Sequence, residues 1–186
     1  LIIFQKKFTP DHVDFMGSLD AYYKSKTEVY RNMSGSDLFL LNADDPVLAE
    51  YTAKYPVNCT VRTFSTDRSD TDSCVSGGYV CVNGEKVLPL DLIKIIGKHN
   101  LQNIIVAVSI AKAFGVTNED ICSVIADFRG VEHRIEFVRE LNGVKYYNDS
   151  KGTNTDATVT ALKAFDKGAG CEDLHPSEDP RLQPWL

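Results

Sequence analysis

The sequence has no run approaching 18 apolar residues, no CxxC pair and no excess of basic charge. The first absence excludes a membrane-spanning helix, which needs about 20 apolar residues. The second removes the usual spacing of thiolate metal sites and redox dithiols. The five cysteines stand apart at 59, 74, 81, 122 and 171, and only Cys171 and His175 lie close together. Two such ligands do not make a zinc site. An odd, scattered set reads as reduced thiols, so a cytoplasmic location is expected. With 20 Lys and Arg against 26 Asp and Glu, the net charge is −6. No basic stripe is available to neutralise phosphates, and no nucleic-acid partner is expected. An initiator Met is missing too, and residues 1–7 run from apolar to basic, the reverse of a signal peptide. The chain is therefore expected to begin inside a longer protein.

What is present suits one globular domain or two small ones: 186 residues, 43% of them hydrophobic. Glu172, Asp173, Glu178 and Asp179 face only Arg181 in the last 19 residues, and Pro176, Pro180 and Pro184 interrupt them. Residues 168–186 are expected to be a disordered tail outside the fold.

Local signals place the elements. Ser18 reads as a helix N-cap followed by Leu19, Tyr22, Tyr23, Lys26, Val29 and Tyr30 at helical spacing. Leu38-Phe39-Leu40-Leu41 reads as a buried strand, and Pro46 opens a helix to about Tyr55. Val61-Arg62-Thr63-Phe64 and Tyr79-Val80-Cys81-Val82 read as short strands, the second followed by the hairpin signal Asn83-Gly84. A long helix is predicted from Asn100 to Phe114 with Gly115 as C-cap, and Thr117 caps the next in a near capping box with Asp120. Two strands flank Asn142-Gly143, and a last helix runs from about Asp156 to Phe165. Strands mixed with long helices predict an α/β fold with a mainly parallel sheet.

Four clusters carry possible chemistry. Thr9-Pro10-Asp11-His12-Val13-Asp14 reads either as a magnesium or phosphate site or as a turn with capping acids. Lys26, placed by its spacing on the aromatic face, is either a snorkelling side chain or a desolvated, reactive one. Asn100 and Asn103 in Gly97-Lys98-His99-Asn100-Leu101-Gln102-Asn103 could read a purine edge, or Asn100 could cap the helix. Arg134, between Glu132 and Glu136, could hold phosphate or form a structural ion pair. Tyr147-Asn148-Asp149-Ser150-Lys151-Gly152-Thr153-Asn154 lies at a strand-to-helix junction, where open α/β sheets bind ligands; by composition alone it is a polar loop.

Taken in order, Thr9-Pro-Asp-His-x-Asp-x-x-Gly-Ser, Tyr23-x-x-Lys26, Asn42-Ala-Asp-Asp-Pro, Gly97-x-His-Asn-x-x-Asn, His133-Arg-x-Glu and Asn148-Asp-Ser-Lys-x-Thr-Asn resemble the Mur ligase family over roughly residues 8–167. The last motif points to its D-glutamate-adding branch. The resemblance implies part of a P-loop-type central ATPase domain over residues 1–129 and the start of a Rossmann-like C-terminal domain over 130–167. It implies ATP and Mg2+ as cofactors, with UDP-N-acetylmuramoyl-L-alanine and D-glutamate as partners of a monomer. ATP would phosphorylate a carboxylate, which the amine then attacks, with magnesium, Lys and Arg holding the developing charge.

By the same resemblance, His12 would be a magnesium ligand, and Lys26 a carbamylated lysine that helps hold a second magnesium. Asn100 and Asn103 fall on the adenine side, Arg134 on the phosphates and Asp149 on the ribose. Lys151 and Thr153 match positions near the substrate carboxylates and the incoming glutamate. No G-x-x-x-x-G-K-[ST] occurs in the chain, so the phosphate-cradling loop and the uridine-nucleotide domain are expected upstream of Leu1. Residues 1–7 match the family's approach to Thr9 poorly, and the chain alone is expected to be inactive. Other readings are a non-catalytic remnant that binds nucleotide weakly, or another Mur or folyl-polyglutamate-type ligase.

Overall fold

The computed structural model describes residues 1–8, 16–153 and 155–165. His12 with its neighbours, Asn154 and the expected tail lie outside the described residues. The described chain divides into two units, one made of Leu1–Ile95 with Asn100–Phe128, the other of Ile96–His99 with the chain from Arg129 on.

The first unit is built on one mixed sheet. Its strands are β1 (Ile2–Gln5), β2 (Leu38–Asn42), β3 (Thr60–Phe64), β4 (Ser73–Ser76), β5 (Tyr79–Val82) and β6 (Glu85–Pro89), side by side in that order. β1 to β4 run parallel, as expected, and β4 to β6 form an antiparallel meander. Residues 1–7, for all their poor match, contribute β1, which pairs Ile2 with Leu38 through to Gln5 with Leu41.

β2 is apolar along nearly its whole length because both its faces are covered, the usual condition of a parallel strand. Leu40 enters a core with Phe64, Val80, Leu88, Ile105 and Val108, whereas Phe39 packs on the opposite face against Tyr30 and Met33. Helices α3 (Lys98–Ala113) and α4 (Asn118–Asp127) supply Ile104, Ile105, Val108 and Ile121 to the first of these cores. On the other face α1 (Leu19–Thr27) and α2 (Pro46–Lys54) bury Tyr22, Tyr23, Leu48 and Tyr51 around Phe8. Phe8 stacks on Tyr23 at 5.3 Å and meets Tyr51 edge-on at 6.0 Å.

The predicted caps are in place. Ser18 Oγ accepts from the Ala21 N–H at 3.1 Å. Thr117 Oγ1 accepts from the Asp120 N–H at 3.2 Å and donates to the Asp120 carboxylate at 2.7 Å. The acid thus returns to the cap's hydroxyl, where a true capping box would use the cap's N–H. After α3, Gly115 N–H donates to Lys112 O and Val116 N–H to Ala111 O, the Schellman pattern. Asn83-Gly84 and Asn142-Gly143 both hold two successive positive φ values, as two-residue hairpin turns require.

The aromatic stripe of α1 differs from its expected pattern. Tyr22, Tyr23 and Thr27 are buried, while Leu19 and Val29 are exposed, and so is Lys26. Thr27 takes the inner place because its hydroxyl is satisfied by the Lys24 carbonyl at 2.7 Å, which lets a polar residue be buried at little cost. Across α1 and α2 the Tyr51 hydroxyl donates to Asp20 at 2.7 Å and Lys54 Nζ joins the same oxygen at 2.9 Å. The hydrogen bond to this carboxylate pushes the Tyr51 phenol up to about 12, and the two donors hold Asp20 below the ordinary carboxylate value.

In the second unit β7 (Glu136–Leu141) and β8 (Val144–Asn148) form an antiparallel ribbon, followed by α5 (Thr155–Leu162). Tyr147 sits edge-on to both Phe137 and Phe165. Gly97 belongs to this unit with φ +95°, and a Cβ there would lie 2.7 Å from Ala164 Cβ. No described helix is long and apolar enough to cross a membrane.

Candidate functional site

The carboxyl ends of β1, β2 and β3 meet at the Asn42-Ala43-Asp44-Asp45-Pro46 turn, and its polar side chains are spent on holding the backbone there. Asn42, 3% exposed, donates from Nδ2 to Lys6 O at 2.7 Å and accepts the Asp44 N–H at 3.0 Å. Asp44 takes the hydroxyl of Ser65 and the N–H and hydroxyl of Thr66, tying β2 to the end of β3. Asp45, 9% exposed, caps α2 through Leu48 N–H at 3.0 Å and accepts the Phe8 N–H at 3.0 Å. Sequence reasoning placed this motif without assigning it work. Pro46 at the first helical turn was the available sign that Asp45 is a cap.

Lys26 lies on the outer side of α1, its Nζ 4.9 Å from the centre of the Tyr22 ring. This is the snorkelling arrangement; the desolvated alternative is ruled out by its exposure. Gln5 Nε2 reaches the Lys26 carbonyl at 3.4 Å, and Gln5 Oε1 is buried with no hydrogen-bond partner among the described residues.

Asn100 and Asn103 occupy the first two turns of α3. The helix begins at Lys98, so Asn100 is a helical residue and the capping alternative does not hold. Asn103 is exposed, and its Oδ1 accepts from Lys6 Nζ at 3.0 Å.

In the second unit the structure brings the third and fourth clusters together. Ile135 N–H donates to Asp149 Oδ1 at 3.0 Å, and Lys151 N–H donates to the His133 carbonyl at 3.0 Å. His133 N–H donates to Glu136 Oε2 at 2.8 Å, and Asn148 Nδ2 lies 2.8 Å from His133 Nδ1. Glu136 is thereby committed to the turn, and Arg134 makes no ion pair with it or with Glu132 among the described residues. Arg134, Lys151 and Thr153 are exposed. Gly152 is enforced by contact: a Cβ there would come 2.7 Å from Asp149 Oδ2. The frame therefore presents two cations without side-chain partners among the described residues and a carboxylate with one oxygen fixed by the backbone.

Within the second unit that donor set fits the sugar and phosphates of a nucleotide: a carboxylate can accept from sugar hydroxyls, and a guanidinium can hold phosphate in two bonds. A magnesium ion is a different matter, since no three His, Cys, Asp or Glu side chains cluster among the described residues. Those residues alone do not make a site for it.

Residues 5–111 match the Mur ligase middle domain, and the chain belongs to the Mur ligase family. Within it, the chain is similar to the UDP-N-acetylmuramoylalanine–D-glutamate ligase of Leuconostoc citreum, at 40% identity over 155 residues (83% of this chain and 34% of that one). It is also similar to the enzyme of that name from Ligilactobacillus salivarius, at 36% over 178 residues (89% and 38%). The chain thus spans about a third of the length of these relatives. Its fold matches MurF from Acinetobacter baumannii with a TM-score of 0.69 at 19% identity, covering 88% of this chain and 36% of that one. It also matches the UDP-N-acetylmuramate–alanine ligase MurC of Thermotoga maritima with a TM-score of 0.63 at 18% identity, covering 89% and 39%.

Proposed function

We propose that this chain is the later part of the central domain, residues 1–129, and the opening of the C-terminal domain, residues 130–167, of a cytoplasmic monomeric ligase. The ligase adds D-glutamate to UDP-N-acetylmuramoyl-L-alanine in peptidoglycan precursor synthesis. The observation that carries this reading is the hydrogen-bonded frame joining residues 133–136 to 148–153, which leaves Arg134 and Lys151 exposed and without side-chain partners among the described residues.

ATP with Mg2+ supplies, when bound, the phosphoryl group that activates the substrate carboxylate toward an amine. Asn100 and Asn103 hold the adenine, Asp149 accepts from the ribose hydroxyls, and Arg134 faces the phosphates. Lys151 and Thr153 orient the carboxylates of the substrate and of D-glutamate. By the family resemblance, His12 would hold magnesium together with Lys26 in its carbamylated form.

The test is incorporation of labelled D-glutamate into UDP-N-acetylmuramoyl-L-alanine by the full-length protein, with ATP-dependent phosphate release measured in parallel. Turnover with D-glutamate and none with L-glutamate is the expected result. Turnover with a different amino acid moves the chain to another branch. No turnover, with no thermal stabilisation by ADP–Mg2+, leaves a non-catalytic remnant.

A further inference from the structure

Neither Lys6 nor its contact to Asn103 belongs to any motif in the sequence, yet the two close a chain of hydrogen bonds across the first unit. Asn42, buried at the carboxyl end of β2, fixes the Lys6 carbonyl at 2.7 Å. Lys6 Nζ in turn donates to Asn103 Oδ1 at 3.0 Å. An ammonium group has three donors and no acceptor, so it can face only the oxygen end of an amide. An isolated asparagine can turn its amide over; this one is held in a single sense, its Nδ2 directed away from Lys6.

We infer that Lys6 is a positioning residue that sets the base selectivity of the nucleotide site by orienting the Asn103 amide. The inference rests on the reading of Asn103 as an adenine-side residue. With one lone pair of Oδ1 taken by Lys6, the amide keeps one acceptor and two donors for a ligand. That set matches the N1 edge of adenine, where the N6 amine donates and N1 accepts. It does not match hypoxanthine, where O6 accepts and N1–H donates. Without Lys6 the amide can turn over, donating to O6 and accepting from N1–H, so both bases are accepted alike.

The measurement is the affinity of the full-length protein for ADP–Mg2+ and IDP–Mg2+ by calorimetry. The unsubstituted protein should prefer ADP by about tenfold, the order of one well-made pair of amide–base bonds. Lys6→Met should bring that ratio to within about twofold. Lys6→Arg, which also has donors only, should restore the preference. In an Asn103→Ala background Lys6→Met should have no further effect on the ratio. A ratio unchanged by Lys6→Met overturns the inference and leaves the nucleotide reading standing. Failure of the unsubstituted protein to bind either nucleotide overturns that reading and the inference with it. If Lys6→Met does not fold, the Lys6→Arg ratio decides, and loss of preference there refutes the orienting role.

Discussion

Replacing Asp45 with alanine removes two hydrogen bonds to backbone N–H groups. One carboxylate oxygen accepts the Leu48 N–H at the first turn of α2, and the other accepts the Phe8 N–H, each at 3.0 Å. Losing the cap costs about 1 kcal/mol. The Phe8 amide is then left buried and unpaired, at about 1–3 kcal/mol. Asp45→Ala should therefore lower the unfolding free energy by about 2–4 kcal/mol, a large fraction of a marginal domain's reserve. Asp45→Asn separates the two contributions. Its amide oxygen can keep the cap, while its NH2 cannot accept from Phe8, so it should cost about 1–3 kcal/mol and less than the alanine. Urea denaturation at neutral pH reads both through the midpoint, with an unchanged slope showing that the unfolded state is not at issue. A loss under about 1 kcal/mol for Asp45→Ala would refute the reasoning. Equal losses for the two variants would show that the cap contributes nothing.

Gly97→Ala meets a positive φ, Ala164 Cβ at 2.7 Å and His99 Cε1 at 2.9 Å, and should cost about 2 kcal/mol; adding Ala164→Gly should relieve the first contact but neither the second nor the backbone strain. The Tyr51 phenol, raised to about 12 by the Asp20 carboxylate, makes a contribution to stability that is complete below pH 10. It is lost as pH rises through about 12. Ultraviolet titration should show a late-ionising tyrosine that disappears in Tyr51→Phe. Gln5→Met removes a buried acceptor with no partner and should be neutral or stabilising by up to about 1 kcal/mol; a clear loss in thermal unfolding would reveal a donor to Oε1. On the proposed reading, Lys26→Ala in the full-length protein should abolish D-glutamate incorporation in a way bicarbonate cannot restore and acetate partly can. Near-normal turnover would refute the proposed metal-site role of Lys26.

Features decided within a few residues were legible in the sequence. The Ser18 and Thr117 caps, the Gly115 helix end and the two Asn-Gly turns depend on local backbone geometry, and each stands where its residues put it. What depended on distant partners was not legible. β1 is a strand because Leu38-Phe39-Leu40-Leu41 pairs with it, and β4, only Ser73-Cys74-Val75-Ser76, is a strand because β3 and β5 flank it. Lys26 was misplaced for a related reason. Helical spacing fixes a stripe only to within one residue, and Thr27, its hydroxyl bonded to Lys24 O, is buried where Lys26 is exposed. The candidate site was readable as separate motifs. That Asp149 receives the Ile135 N–H, and so shares a frame with Arg134, follows from the β7–β8 register, which fixes positions far apart in sequence.

The change of direction at β4 also bears on how the first unit folds. From β4 to β6 each strand pairs with the next across a two-residue turn, so these contacts form at small loss of chain freedom. The parallel half must bring Ile2 to Leu38 and Leu38 to Thr60 before any strand pairing rewards it. Side chains of the meander such as Val80 and Leu88 are thus expected to be consolidated at the folding transition state, with high φ-values. Ile3 and Phe39 should condense late. The candidate nucleotide residue Asn103 and its partner Lys6 are joined only when that slower half closes, so ligand competence should lag behind recovery of the core.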